Sequence, residues 1–479
     1  MDTHARPYPV SLRSASAFER IAGCTVLLWC LIASSGMAQT GKSAAMPASD
    51  ATALSAALAA YDSGNGAKAK PELERLAVKY PNNFPASEAL GLLYVDAGDF
   101  AQALPFLEHA ANAKKMNAVA QANLGTAYLQ VGDVKAAVPT LKRAAALDAK
   151  NGQTLLNLGH ALFLDKQPLE AANTFAKASA LDPANLDVTY DWAVALHEAG
   201  KDAQAAEVLQ RIPAGQRSEA VESLWGDVAE KQGQFKEAAE HMQAAAKLNP
   251  SEQNVYALAI ELLRHWTWQP GMEIAQYGVE HYPESRRMQL AKGIAFYGNG
   301  RYAESATIFG ALLALDPENE DYGSLLGRSC SSLGGDAASQ CDTLIAFAGK
   351  HPANAQIAVY AALSILHRPN AKDELDRAEQ LLEQAIRTNP KLAEAYYQLG
   401  VLQQQRLQWN KSVASLSKAI ELRPAYAEAH YRLARAYAHT NRAELASKET
   451  ALQQKYSQQE KDDSNAKLKE VTTFLVASH

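Results

Sequence analysis

The chain has 479 residues, of which 48% are hydrophobic, and its formal net charge is −6. This length exceeds the roughly 250 to 300 residues that a single hydrophobic core supports, so the chain must contain several domains or an array of repeats. Both signs of charge are interspersed, which excludes the basic field that phosphate backbones require, and nucleic acid is not expected as a partner.

The N-terminal segment has the features of an export signal. Three arginines precede an apolar stretch over residues 21–33, and the small residues Gly36 and Ala38 occupy the positions that a signal peptidase reads. We therefore predict a signal peptide over residues 1–38 and a linker over 39–49, with a mature protein that is periplasmic or secreted. An uncleaved membrane anchor is the alternative, although the apolar stretch is shorter than the roughly 20 residues that span a bilayer. Contact with a membrane is expected only in that second case.

Pairs of small residues twelve positions apart recur along the chain at intervals of 33 or 34 residues, except around Ala362. Two helices approach closely only where the side chains at their crossing are small, so each pair predicts one crossing. Glycines between the paired residues suit the left-handed turn that ends a first helix, and prolines beyond the pair stop the second helix. The pairs are Ala57 and Ala69, Gly91 and Ala103, Gly125 and Ala137, Gly159 and Ala171, Ala193 and Ala205, Gly226 and Ala238, Ala259 and Gly271, Gly293 and Ser305, Gly327 and Ser339, Gly400 and Ser412, and Ala434 and Ala446.

One unit carries a complete set of these signals: Leu158 and Gly159, then Ala171, Phe175 and Pro183. In type and spacing this unit resembles the tetratricopeptide repeat family, whose repeat is a helix-turn-helix of 34 residues. The resemblance implies an all-α fold, a right-handed superhelical solenoid of helix-turn-helix repeats, in which the first helix of every repeat lines a long groove.

Counting the units gives about twelve repeats over residues 50–460, followed by a polar C-terminal tail over 461–479. No unassigned block exceeds about 35 residues, which is too short for a separate catalytic domain. The sequence also lacks the glycine-rich phosphate loop, the zinc-protease helix and the serine elbow that carry common chemistries. We therefore predict a protein that is not an enzyme and that has neither a metal site nor a cofactor.

Cys330 and Cys341 are the cysteines that remain once the signal peptide is removed. Two cysteines in an oxidising compartment are a possible disulfide, and these two flank a predicted helix-to-helix turn. Two free buried thiols are the alternative.

Asparagine recurs at one place in two neighbouring repeats, as Asn123 and Asn157, and Asp191 takes the same place in the next repeat. An amide both donates and accepts, so a row of amides can bind an extended peptide backbone without reading its sequence. The arrangement is similar to the asparagine ladder of O-linked N-acetylglucosamine transferases, although their catalytic domain has no counterpart here. His160 is expected on the same groove. The alternative is that these asparagines only cap or hydrate the inner face.

Tyr190, Tyr397 and Tyr431 share a second groove position, and Gln398 and Arg432 stand beside two of them. Aromatic side chains with a polar tip are common at protein interfaces, so these residues are further candidates for contact with a partner. Packing between the helices is the alternative role for any one of them.

Trp266 and Trp268 form a pair in a repeat that carries Gln269, Pro270 and Gly271 where other repeats have a simple turn. Two exposed indoles can anchor a partner or stack on a sugar, whereas burial at an irregular junction is the alternative.

Two functions fit this sequence. The first is a scaffold that binds a protein or an extended peptide in the groove of the solenoid. The second is a structural subunit of a cell-envelope machine that exports or assembles polysaccharide or outer-membrane components. The repeat specifies a shape and leaves recognition to a few variable positions, so the sequence does not identify the partner.

Overall fold

A computed structural model describes residues 46–333, 340–368 and 374–476, with side chains as far as residue 462. The predicted signal peptide and most of the predicted linker lie outside these residues. The chain divides into two compact units, which we call unit 1, ending at Gln216, and unit 2, starting at Arg217.

All regular structure in the described residues is helical, and consecutive helices pack as hairpins. The predicted all-α fold of about twelve helix-turn-helix repeats is therefore confirmed. We number the helices so that odd numbers are the first helices of hairpins and even numbers are the second helices. Unit 1 holds five hairpins: α1 (Ala48–Asp62) and α2 (Gly66–Lys79), α3 (Phe84–Asp96) and α4 (Phe100–Ala113), α5 (Ala118–Gln130) and α6 (Val134–Leu147), α7 (Gly152–Leu164) and α8 (Pro168–Leu181), and α9 (Leu186–Glu198) and α10 (Asp202–Leu209).

Unit 2 continues the same alternation for seven more hairpins. They are α11 (Glu219–Lys231) and α12 (Phe235–Leu248), α13 (Glu252–Arg264) and α14 (Trp268–His281), α15 (Arg286–Gly298) and α16 (Tyr302–Leu315), α17 (Glu320–Ser332) and α18 (Gln340–Lys350), α19 (Ala355–Leu366) and α20 (Leu375–Thr388), α21 (Ala393–Gln405) and α22 (Trp409–Leu422), and α23 (Ala427–His439) and α24 (Ala443–Val476). In the described part of both units, no helix is long and apolar enough to cross a membrane.

The small residues lie where the two helices of a hairpin meet. Ser305 donates a hydrogen bond of 2.9 Å to the carbonyl of Gly293, its partner in the pair twelve residues earlier. The first member must be small for a further reason, because a Cβ built on Gly159 would lie only 2.4 Å from the ring of Phe175. The pair therefore marks the crossing, and it also makes room for a large side chain four residues after its second member.

The turn between first and second helices places one residue in the left-handed region. Six glycines take this position with φ between 67° and 84°: Gly64, Gly98, Gly132, Gly200, Gly233 and Gly300. Four repeats place another residue there with φ between 56° and 63°: Lys166, Trp266, Leu407 and Asn441. The backbone turn is therefore conserved even where the glycine is absent.

Asparagine caps start four of the five first helices of unit 1, all except α1. Asn83, Asn117, Asn151 and Asn185 each accept a hydrogen bond from the backbone N–H three residues later, at 2.9 to 3.3 Å. Such a cap satisfies one of the N–H groups that a helix start leaves unpaired. These asparagines recur every 34 residues, a signal that the interpretation of the sequence did not use.

One local expectation needs correction, and two helices extend beyond the bounds expected for the repeat array. Gln269, Pro270 and Gly271 do not form a turn, because α14 begins at Trp268 and the turn precedes it at Trp266. Helix α1 begins at Ala48, inside the predicted linker. Helix α24 continues past the predicted start of the tail to Val476.

Candidate partner-binding face

The side chains that link one first helix to the next in unit 1 stand two residues before and one residue after the small crossing residue. The Asn157 amide of α7 donates 2.8 Å to the Thr126 hydroxyl of α5. His160 Nε2 lies 2.8 Å from Asp191 Oδ2 of α9. Residues at these two places, together with those five after the crossing residue, form what we call the first-helix face of unit 1.

His160 and Asp191 are in contact between two neighbouring repeats, and Asn157 bonds Thr126 of the repeat before its own, so the polar groups of all three residues are already engaged. The Asn157 oxygen also accepts 3.0 Å from the Gln153 amide. The His160 ring stands edge-on to Phe175, with 5.2 Å between the ring centres. These bonds hold neighbouring hairpins in register, and binding of a peptide by Asn157 requires exchange of one of them.

Asn123 differs from Asn157 in its bonding. Its side chain is only 8% exposed, and its amide nitrogen has no hydrogen-bond partner among the described residues. Leu92 occupies the place on α3 that corresponds to Thr126, the acceptor for Asn157, and it has no side-chain acceptor. An unsatisfied buried donor costs about 1 to 3 kcal/mol, so this amide has the most to gain from an added acceptor.

Family models match segments that together cover about half of the chain. Those described as "Tetratricopeptide repeat" match residues 94–158 and 162–224, and residues 54–117 and 274–320. One described as "TPR repeat" matches residues 408–440. The chain belongs to the tetratricopeptide repeat family. No curated protein sequence matches this tetratricopeptide repeat protein.

Several solved structures are similar to this tetratricopeptide repeat protein. Naa15/Naa10 bound to HypK-THB is 13% identical over 84% of this chain and 68% of that chain, with a TM-score of 0.38. YrrB, titled a TPR protein with an unusual peptide-binding site, is 18% identical over 39% of this chain and 95% of its own, with a TM-score of 0.36. MamA from Desulfovibrio magneticus RS-1 is 19% identical over 35% of this chain and 94% of its own, with a TM-score of 0.32. At these values the likeness concerns the fold alone.

The three tyrosines that share one position of the repeat differ in exposure and in contacts. Tyr190 is half-buried on α9, whereas Tyr431 on α23 is 51% exposed. The ring of Tyr397 on α21 lies 4.7 Å from the ring of Tyr426, between centres. Burial raises the pKa of Tyr397, and a hydrogen bond with Arg432 opposes this shift. Tyr431 is therefore the most accessible of the three, and Tyr397 packs between helices.

Gln398 and Arg432 also make contacts within this tetratricopeptide array. The Gln398 amide donates 2.6 Å to Glu394 on the same helix, and the Arg432 carbonyl accepts 2.7 Å from Gln404. The structure thus brings Tyr397 and Arg432 together and leaves Gln398 bonded within α21.

The two tryptophans have separate environments. Trp266 is 50% exposed and occupies the left-handed turn position with φ 63°. Trp268 packs against the next hairpin, because a Cβ built on Gly298 would lie 2.1 Å from its indole. The two ring centres are 6.0 Å apart. Of the two, Trp266 leaves half of its surface exposed, whereas Trp268 is half-buried.

Cys330 and Cys341 are joined by a disulfide between α17 and α18, with 5.8 Å between their Cα atoms. Both side chains are buried, at 1% and 0% exposure. The described residues contain no group of three His, Cys, Asp or Glu side chains that is able to hold a metal ion.

One feature of the first-helix face was missed in the sequence. Five residues after the crossing residue, unit 1 carries Asp62, Asp96 and Glu198, whereas unit 2 carries Lys231 and Arg264. Aligning the repeats on their small residues is sufficient to show this pattern, because it depends only on spacing.

Proposed function

We propose that this tetratricopeptide repeat protein is a non-catalytic scaffold that binds a protein or extended peptide on the first-helix face of unit 1. We further propose that it acts after export, in the periplasm or outside the cell. The hydrogen bonds from Asn157 to Thr126 and from His160 to Asp191 support the first proposal, because these four residues form a polar row across three consecutive first helices, α5, α7 and α9.

Asn123 is the observation that carries the proposal. It stands on α5, three residues before the acceptor Thr126, and it brings a buried amide nitrogen that no described group satisfies. A carbonyl of an extended peptide is the commonest acceptor able to satisfy such a donor. A small rotation of the side chain toward that carbonyl replaces an unfavourable buried state with a hydrogen bond.

The test uses a random peptide library displayed on phage, selected against the purified protein. A selected peptide should bind Asn123→Ala about 2 to 10 times more weakly, the loss expected for one hydrogen bond. Asn173→Ala is the matched control, because Asn173 is an exposed asparagine on the second helix α8. Removal of an unsatisfied donor should not unfold the hairpin, which circular dichroism verifies.

The proposal is wrong if the double variant Asn123→Ala, Asn157→Ala binds every selected peptide as tightly as the parent while its helix content is unchanged.

Export is tested separately. Mass spectrometry of the protein from the envelope fraction should find a mature chain that starts at Gln39, and a chain that retains residues 1–38 contradicts cleavage.

A further inference from the structure

The first helices of unit 1 contain no lysine or arginine. This holds for α1, α3, α5, α7 and α9, over all of their residues. Three of the five end on a carboxylate, at Asp62, Asp96 and Glu198. Lys166 and Lys201 lie in the turns that follow α7 and α9, outside the first helices. The first-helix face of unit 1 is therefore negatively charged.

These carboxylates lie where the helix itself disfavours them. The C-terminal end of a helix is its negative pole, which attracts cations and repels anions. No hydrogen bond or ion pair joins the side chains of Asp62, Asp96 or Glu198 to another described side chain. Local stability therefore does not account for these residues. Unit 2 has Lys231 and Arg264 at the same place, which is what the helix dipole favours.

The polar row and the carboxylates lie along one side of the first helices. Positions two residues before and five residues after the crossing residue are seven apart, which is two helical turns. On α5 these positions are Asn123 and Gln130, and on α3 the second of them is Asp96. The buried amide nitrogen of Asn123, which has no partner among the described residues, therefore lies on the same side of the first helices as the carboxylates, two helical turns before the position that they occupy.

A further carboxyl group on α3, that of Glu88, is partly buried without enough nearby positive charge to offset its burial. Burial raises the pKa of Glu88 to about 7, and the charge of Lys114 only partly opposes the shift. Lys114 itself lies 4.3 Å above the centre of the Phe84 ring. A carboxylate that is costly to ionise becomes easier to ionise when a ligand brings a cation.

We propose that the first-helix face of unit 1 binds a lysine- and arginine-rich extended segment of a partner protein. This inference rests on the proposed function and specifies the chemistry of its partner. The amide of Asn123 donates a hydrogen bond to the backbone of this segment. The lysine and arginine side chains of the segment pair with Asp62, Asp96 and Glu198.

The spacing of the carboxylates predicts the spacing of the cations. Packed helices stand about 8 to 10 Å apart and an extended chain rises about 3.3 Å per residue, so neighbouring first helices correspond to about three residues of peptide. Asp62 and Asp96 are one hairpin apart, whereas Glu198 is three hairpins beyond Asp96. The segment should carry two cations about three residues apart and another about nine residues further along.

The test sequences the peptides that the purified protein selects from the random library and measures their affinities by fluorescence anisotropy. Selected peptides should be enriched in Lys and Arg, and their affinity should fall as salt is added. The double variant Asp96→Lys, Glu198→Lys should bind them roughly tenfold more weakly. It should remain folded, because a lysine is favourable at a helix C-terminus.

Glu207→Lys is the matched control. Glu207 is exposed on the second helix α10, so reversal of its charge should leave affinity unchanged. Selection of neutral or acidic peptides whose binding depends on Asn123 overturns this inference and leaves the proposed function in place. Failure to select any peptide overturns both. Equal binding by the parent and by Asp96→Lys, Glu198→Lys places the cations elsewhere and also overturns the inference.

Discussion

Units 1 and 2 share one hairpin architecture but carry opposite charge at the same place of the repeat. Five residues after the crossing, unit 1 has three carboxylates and no cation, while unit 2 has Lys231, Arg264, His367 and His439 and no carboxylate. The crossing and the turn recur in both units, at Gly159 as at Gly293. Folding therefore depends on one set of positions in the repeat, and the remaining positions vary with what each unit contacts.

The disulfide gives the largest expected difference in stability between the units. It closes a loop with a sequence separation of 11 in unit 2, whereas the described residues of unit 1 contain no cysteine. Cys341→Ser should destabilise α17 and α18 by about 3 kcal/mol, as loop-closure entropy predicts. Hydrogen exchange resolved by segment should be faster in α17 and α18 of the variant than in the parent protein, and it should be unchanged in α7 and α8. Free thiols in the native protein, detected by mass spectrometry without reductant, are the contrary result.

The crossing glycines should behave alike in both units. A Cβ on Gly159 would lie 2.4 Å from Phe175, and one on Gly293 would lie 2.6 Å from Phe309. Either change to alanine should cost about 1 to 3 kcal/mol through overpacking. Thermal unfolding followed by circular dichroism measures the loss. Gly349→Ala is the control, because nothing lies within 4 Å of its added Cβ, and a loss as large as that of Gly159→Ala refutes the steric reason.

Buried Glu261 should make unit 2 sensitive to pH. Its side chain is 1% exposed, and burial raises its pKa from 4.5 to about 7, with Arg264 opposing the shift and Glu230 adding to it. His265 Nε2 also lies 3.2 Å from its carboxylate. A raised carboxyl pKa gives stability that is complete below pH 4.5 and lost as pH rises through about 7.

At pH 8, Glu261→Gln should therefore be more stable than the parent, with a free energy of unfolding higher by on the order of 1 to 2 kcal/mol. Below pH 4.5 the two proteins should be equally stable. Hydrogen exchange of α13 across this pH range measures it. Glu88→Gln, at a half-buried carboxyl of unit 1, should have a smaller effect on α3. If the stability of α13 depends on pH in the same way in Glu261→Gln as in the parent, another group causes the pH sensitivity.

The smallest effect compares the charges themselves. Asp96→Lys should stabilise α3, and Lys231→Asp should destabilise α11, each by about 0.3 to 1 kcal/mol through the helix dipole. Chemical denaturation at low salt measures both changes, and added salt should shrink them. Destabilisation by Asp96→Lys would mean that the carboxylate has a structural partner, and would remove the reason to seek a ligand for it.

The hairpins were predictable because their signals are local. Small residues at the crossing, Gly98 or Gly132 in the turn and proline after the second helix each act within one repeat. The turn at Trp266 was missed because the packing of the hairpin holds a bulky residue where a glycine is usual. The state of Asn123 was not predictable either. It depends on Leu92 of the preceding hairpin, and a repeat read alone does not show which residue stands opposite another.

The binding surface is tested most directly by the hydrogen-exchange footprint of a selected peptide on the whole protein. A peptide bound to the first-helix face of unit 1 should protect α1, α3, α5, α7 and α9, with little change in the second helices of unit 1 or in unit 2. Protection confined to the second helices, or to unit 2, would contradict the assignment of the first-helix face of unit 1 as the binding surface.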